Sequence, residues 1–191
     1  NNTFKITPST FDSWARILAK VDDSVLLIYA DNESAKINLA KEIVKRGISS
    51  SRLIFGERLP KSDYLARYRV ADLFLDTHPY NAGTTASDAL RVGLPILTYT
   101  GNSFPSRMAS SLLNAINLPE LIASSQEHYE NIAIELALNP EKLEVIKDKL
   151  IDNLSTSELY DTPLFAKNIE SAYTQMYERY QNKLEPDHIY V

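Results

Sequence analysis

The stretch LFLDTHPYNAGTTASDALRVGLPILTY, Leu73 to Tyr99, decides how the rest of the chain is read. LFLD at 73–76 and PILTY at 95–99 are short apolar runs of strand length. Between them the chain opens with turn-forming residues and becomes a helical pattern, Thr84 to Val92, stopped by Gly93. A strand, a turn, a helix and a second strand make the unit from which parallel sheets are built.

The same alternation extends outward in both directions. Upstream, Pro8-Ser9-Thr10 caps a helix whose Phe11, Trp14, Ile17 and Leu18 share a face, with Trp14 a packing residue. Ser24 to Ala30 reads as a buried strand, and about Glu33 to Arg46 as a helix with Ile37, Leu39, Ala40, Ile43 and Val44 toward a core. Gly47 sits where a helix C-cap is expected, Leu53 to Phe55 is a strand, and Ser62 to Arg69 a short helix. Downstream, Ser103-Phe104-Pro105 opens a helix that reaches Ile116, and Leu121 to Ala123 is a last short strand. Helices over about 126–138, 140–153 and 163–183 and a polar tail follow. The strands are apolar throughout rather than alternating, as in a parallel sheet covered on both faces. One doubly wound, Rossmann-like α/β domain over residues 1–191 is the expectation.

Composition narrows the function. The 191 residues are 44% hydrophobic, enough for one domain with a real core. A formal charge of −5 without a long basic stretch argues against coating nucleic acid, though not against one small anion in a local pocket. The absence of cysteine excludes disulfides, thiolate metal sites and cysteine nucleophiles. No apolar run approaches the roughly 20 residues of a membrane span. No signal peptide is visible, and a start at Asn1 without methionine suggests a fragment or a processed chain.

Ligands of open parallel sheets bind beyond the carboxyl ends of the strands. The quoted segment leaves such an end at Asp76 and enters a helix near Thr84. The first turn of a helix offers unpaired N–H groups and partial positive charge, which suit a phosphate. Gly83 allows close approach, Thr84 and Thr85 add hydroxyl donors, and Asp88 is placed to accept from a ribose. A plainer reading stands beside this one: Thr84 as an N-cap and Asp88 as a solvated helix residue. The dinucleotide pattern GxGxxG and the P-loop GxxxxGK[ST] are both absent, which disfavours NAD enzymes and P-loop NTPases.

A more specific reading comes from the run RYRVADLFLDTHPYNAGTTASDALRVGLPILTYTGNSFPSRMASSLLNAINLPELI. It closely resembles the C-terminal lobe of O-GlcNAc transferases and their bacterial and SPINDLY-like relatives. The resemblance extends upstream through NNTFKITPSTFDSWARIL and RLIFGERLPKSDYLAR, and downstream to the final PDH, so it covers in effect the whole chain. It implies a GT-B glycosyltransferase: two Rossmann-like lobes, with a nucleotide-sugar donor held mainly by the C-terminal one. Upstream tetratricopeptide repeats, transfer of a sugar to protein Ser or Thr hydroxyls with inversion, a cytoplasmic location and no metal requirement are implied with it.

Site roles follow by position. Lys5, in N-x-x-K-I-x-P, matches a lysine at the donor diphosphate, where a cation suits the charge growing on the departing nucleotide. Asn2 matches an amide near the same place. Thr84 and Thr85 match a pair that binds the phosphates, and Asp88 the carboxylate that holds the ribose. Pro60, Lys61 and Arg67 match positions beside the nucleobase, with the backbone around Leu59 reading the uracil edge. Arg107, in SFPSRMASS, reads as a brace for loops around the donor.

Two positions depart from the animal pattern. Tyr64 stands where a histidine packs on the nucleoside, and Gly83 where a histidine precedes the paired threonines. UDP-GlcNAc is the leading donor, with UDP-glucose and GDP-fucose as alternatives. His78 lies near the site but occupies a position that is not catalytic in relatives, and His128 and His188 suggest no metal site. The family also has an N-terminal lobe carrying acceptor contacts and the proposed general base, and a strand just before the N-x-x-K motif. The chain lacks both, so nucleotide binding without efficient transfer is expected, with a gap in the centre of the sheet. That gap could be filled by a partner segment, be closed by rearranged strands, or mark a trimmed piece of a larger polypeptide. Two other readings remain open: half of a UDP-sugar epimerase, or a non-catalytic module binding a nucleotide or a protein. The epimerase reading is weakened by the lack of a carboxylate and histidine cluster. The oligomeric state is open, and an exposed face makes self-association plausible.

Overall fold

Short polar side chains start four of the long helices, each accepting from a backbone N–H of the first turn. Thr7 accepts from Thr10 N at α1 (Pro8–Lys20), and Asn32 from Ala35 N at α2 (Glu33–Lys45). Ser125 accepts from His128 N at α6 (Gln126–Leu138), and Asp161 from Leu164 N at α8 (Thr162–Gln181). Each such bond satisfies a donor the helix leaves free, and its loss costs about 1 kcal/mol. The α1 cap is Thr7, ahead of the Pro8-Ser9-Thr10 expected, because Pro8 fits the first helical position. The computed structural model describes residues 1–191.

The strands are parallel, but they form two sheets. In one, β1 (Leu26–Tyr29) pairs with β2 (Leu53–Gly56). In the other, β3 (Phe74–Leu75), β4 (Ile96–Tyr99) and β5 (Ile122–Ala123) lie in that order. No ladder joins β1 to β3. A groove of about 990 Å³ runs along both, lined by Leu26, Leu27 and Ile28 on one side and Leu73, Phe74 and Leu75 on the other. The discontinuity falls where a central gap was expected. It also corrects the reading of residues 24–30 as a buried strand: Val25 is 59% and Leu27 39% exposed. An apolar strand is covered only when neighbours complete the sheet around it.

Helix α2 is corrected for the same reason. It buries only Ile43, while Ile37 and Val44 stay exposed, because a two-stranded sheet is too narrow to cover the whole apolar stripe. The helix expected from Ser103 to Ile116 is instead a 3-10 turn, Pro105–Arg107, followed by α5 (Met108–Ala115). There Ser106 Oγ accepts from Ser103 N and donates to Ser103 O, which competes with helix formation.

The core is in two parts. One gathers Ala86, Ala89 and Leu90 of α4 (Thr84–Arg91) with Ile96, Leu113, Ile116 and Leu118, backed by Leu143, Ile146 and Leu150 of α7 (Pro140–Thr156). The other packs Phe11, Trp14, Ile17 and Leu18 of α1 against Ile28, Leu53, Leu97, Tyr129 and Ala133. Each large aliphatic side chain so buried stabilises the fold by about 1.5–3 kcal/mol. Trp14 is 4% exposed and donates through Nε1 to Tyr129 Oη, a packing role as read from the sequence. Helix α8 buries no side chain. No helix is long and apolar enough to cross a membrane.

Candidate functional site

Helix α4 exists because Ala86, Ala89 and Leu90 recur at helical spacing and lock one face into the core, all at 0% exposure. Its other face and its first turn stay at the surface. Gly83 is the N-cap and supplies no side-chain bond, so the first-turn N–H groups are left for another acceptor. Thr84 is therefore the first helical residue rather than the N-cap, and it is exposed. The Thr85 hydroxyl lies 3.5 Å from Asn1 Oδ1. A Cβ at Gly83 would meet only Met108 Cε at 3.6 Å, so the approach is open.

Asp88 lies about one turn further along α4. The short helix α3 (Lys61–Arg67) brings Lys61 to it, with Nζ 2.9 Å from Oδ1 and 2.8 Å from Oδ2. The same ammonium lies 5.1 Å from the centre of the Tyr64 ring, and the Arg67 guanidinium 5.9 Å from it. Tyr64 and Tyr68 share a hydrogen bond between hydroxyls of 2.7 Å, which holds the Tyr64 ring edge-on to its neighbour. Burial raises both phenols, so they stay protonated. Arg67 Nη1 donates to Glu57 O at 2.7 Å, tying α3 to the segment that carries Leu59 and Pro60. Pro60 caps α3, and Leu59 is exposed. Asn1, Asn2, Leu59, Tyr64, Arg67 and Thr85 all line the groove between the sheets.

Lys5 closes the arrangement from the amino-terminal side. It ends a 3-10 turn, Thr3–Lys5, and its Nζ donates to Asn81 O at 3.0 Å while lying 4.2 Å over the Tyr80 ring. Burial pulls its pKa down and the nearby Asp76 carboxylate opposes that. Asn81 and Tyr80 belong to the loop between β3 and α4, so the loop that leads into the first turn of α4 also seats Lys5. Asn2 is exposed, N-terminal to that turn.

Other readings are placed differently. Arg107 is corrected: it is exposed, and the side chain that braces this loop is Ser106, buried and bonded to Ser103. A guanidinium at a 3-10 turn projecting into water has nothing to brace. His78 is stacked on Tyr99 at 4.3 Å, with Nδ1 3.3 Å from Tyr99 O, a packed rather than a free imidazole. His128 bonds Ser124, and His188 lies in the tail. No group of three or more His, Cys, Asp or Glu side chains could hold a metal ion. Sequence reasoning overlooked Asp76, Asn81, Thr98 and Tyr80. The one available signal was a carboxylate at the end of an apolar strand, in LFLD.

Comparison with known proteins places the chain in a lineage. The profile described as glycosyl transferase family 41 matches residues 1–169. A UDP-N-acetylglucosamine–peptide N-acetylglucosaminyltransferase of Caenorhabditis elegans is 33% identical over 189 residues, 99% of this chain and 16% of that protein. A probable enzyme of the same name from Arabidopsis thaliana is 31% identical over 192 residues, 100% of this chain and 20% of that protein. The chain thus spans a fifth or less of these two relatives. Among solved structures, a lysine-to-methionine mutant of the O-GlcNAc transferase of Thermobaculum terrenum superposes with a TM-score of 0.84 at 32% identity, covering 90% of this chain and 34% of that one.

Proposed function

The chain belongs to glycosyl transferase family 41, and from that premise we propose that it is the donor-binding lobe of an inverting protein O-glycosyltransferase. The donor is UDP-GlcNAc, and the acceptor is a Ser or Thr hydroxyl of a protein. The observation that carries the reading is the uncapped first turn of α4, with Thr84 and Thr85 on it and Asp88 one turn beyond, facing Lys61.

In this reading the diphosphate rests on the N–H groups and hydroxyls of Gly83–Thr85, where the partial charge of the helix end favours an anion. Asp88 accepts from the ribose. The Tyr64 ring, the Arg67 guanidinium, Lys61 and the backbone at Leu59 surround the base. Asn2 and Lys5 approach the diphosphate from the other side. During transfer the acceptor oxygen bonds to the anomeric carbon as the bond from that carbon to the diphosphate oxygen breaks. Negative charge then accumulates on the leaving UDP, and the Lys5 ammonium and the α4 amides are the groups that stabilise it. The acceptor contacts and the base that takes the hydroxyl proton belong to other parts of the whole protein, which also carries tetratricopeptide repeats and works in the cytoplasm. The reading needs no metal: the residues offered to the diphosphate are a lysine, hydroxyls and amides.

Calorimetric titration of the chain with UDP, and with GDP alongside, tests this. Saturable UDP binding that weakens at least about tenfold in Thr84→Ala/Thr85→Ala is expected. A preference for GDP would reassign the donor. Absence of binding by the folded chain would overturn the reading.

A further inference from the structure

One buried carboxylate takes no part in the site just described. Asp76 directly follows β3 and is 3% exposed. Its Oδ1 accepts from Ala82 N at 2.7 Å, Thr77 N at 2.8 Å and Asn1 Nδ2 at 3.2 Å, and its Oδ2 from the Thr98 hydroxyl at 2.8 Å. All four donors are neutral. A buried carboxylate without a paired cation is unfavourable unless hydrogen bonds replace its lost hydration, and here they come from Asn1, the following loop and β4.

The bonds to Thr77 and Ala82 close the loop 76–82 into a ring. Inside the ring, Asn81 Nδ2 donates to Thr77 O at 2.8 Å and the Thr77 hydroxyl to Tyr80 O at 2.7 Å. Two parts of the donor site hang from it. Ala82, held by Oδ1, directly precedes the Gly83 N-cap of α4. Asn81, on the same ring, offers the carbonyl on which the Lys5 ammonium rests.

We propose that Asp76 is a positioning residue of the donor site: by closing the 76–82 loop it sets the Lys5 ammonium against the first turn of α4, the two groups that would share one diphosphate. The inference rests on the donor-site reading above. It assigns to Asp76 no contact with the donor. Oriented binding groups lose their value when displaced by an ångström, so a residue that fixes two of them together acts on affinity through both.

The test is calorimetric titration of the full chain with UDP-GlcNAc. Asp76→Ala should bind at least about tenfold more weakly than the wild type. Asp76→Asn, whose amide oxygen still accepts from Thr77 and Ala82, should restore affinity to within about threefold. Thr98→Val, which removes one partner of Asp76 outside the loop, should lower the melting temperature and leave affinity unchanged. Asp76→Ala/Lys5→Ala should bind more weakly than Lys5→Ala alone but by less than the sum of the two separate losses, because the displaced loop has already unseated the lysine and only the α4 arm is left to lose. Should Asp76→Ala not fold, Asp76→Glu carries the test: its extra methylene pushes Ala82 away and should weaken binding about tenfold. Wild-type affinity in folded Asp76→Ala or Asp76→Glu, failure of Asp76→Asn to rescue, or additive losses with Lys5→Ala would overturn the proposal while the donor-site reading stood. Absence of UDP-GlcNAc binding by the folded wild-type chain would overturn both.

Discussion

The ammonium of Lys61 lies 2.8 Å from Asp88 Oδ2 and so joins the start of α3 to the middle of α4. The Lys61 side chain is 64% exposed and that of Asp88 18%, so water screens the pair and its worth to the fold is below about 1 kcal/mol. Its value lies elsewhere. In the proposed donor site it neutralises a carboxylate that would otherwise repel a diphosphate.

Asp88→Asn should therefore separate binding from stability. Thermal melting should show a change of less than about 1 kcal/mol, because only an exposed pair is lost. Affinity for UDP should fall about tenfold, since a charged acceptor for the ribose becomes a neutral one. Unchanged affinity in calorimetry would remove Asp88 from the site.

Asp76 gives the fold a pH dependence of definite sign. Burial raises its pKa from 3.8 to about 6. Between those values the unfolded chain has released a proton that the folded chain keeps. The Asp76 contribution to stability is therefore greatest below pH 3.8 and declines until pH passes about 6, by on the order of 3 kcal/mol. Asp76→Asn cannot ionise, so its stability relative to the wild type should rise across that window. Urea denaturation of both proteins at each end measures this, and a difference that stays constant would show that Asp76 titrates in its ordinary range.

Gly101 packs under the same loop. A Cβ there would lie 2.6 Å from Ser106 Oγ, 2.8 Å from Ser106 Cβ and 2.9 Å from His78 Cε1. Those atoms are themselves held, Ser106 by Ser103 and His78 by its stack on Tyr99. Gly101→Ala should cost about 1–3 kcal/mol in chemical denaturation, through displacement rather than backbone strain. A loss too small to measure would mean that the His78 stack moves aside freely.

Gly56 contrasts with it. A Cβ there would meet Arg67 Nη1 at 2.8 Å and Cζ at 3.3 Å, the far end of a flexible side chain. The fold should lose less than about 1 kcal/mol in Gly56→Ala, because the guanidinium can swing away. Its bond to Glu57 O would break and the base would lose a neighbour. UDP affinity should therefore drop by a measurable factor while the melting temperature stays put; a large fall in melting temperature with affinity intact would show the reverse allocation.

What the sequence determined by itself was local. The apolar runs of β1 to β5, the alternation of strands with helices and the 83–88 segment are set by residue type at short spacing, as are the capped starts of α2, α6 and α8. Periodicity and turn chemistry read such features directly. The tertiary structure decided which edges stay unpaired. Leu27 and Ile37 are apolar in pattern yet exposed, because burial depends on what lies across a sheet and not on the residue alone. It also decided which polar groups meet. Lys61 reaches Asp88 27 residues away, Lys5 reaches Asn81 at a separation of 76, and Asp76 collects Asn1 from 75 residues upstream and Thr98 from 22 downstream. Such contacts leave no periodic trace in a single sequence, because they depend on the three-dimensional course of a loop. The loop 76–82 is ordered by a buried carboxylate whose importance appears only once its donors have been brought to it.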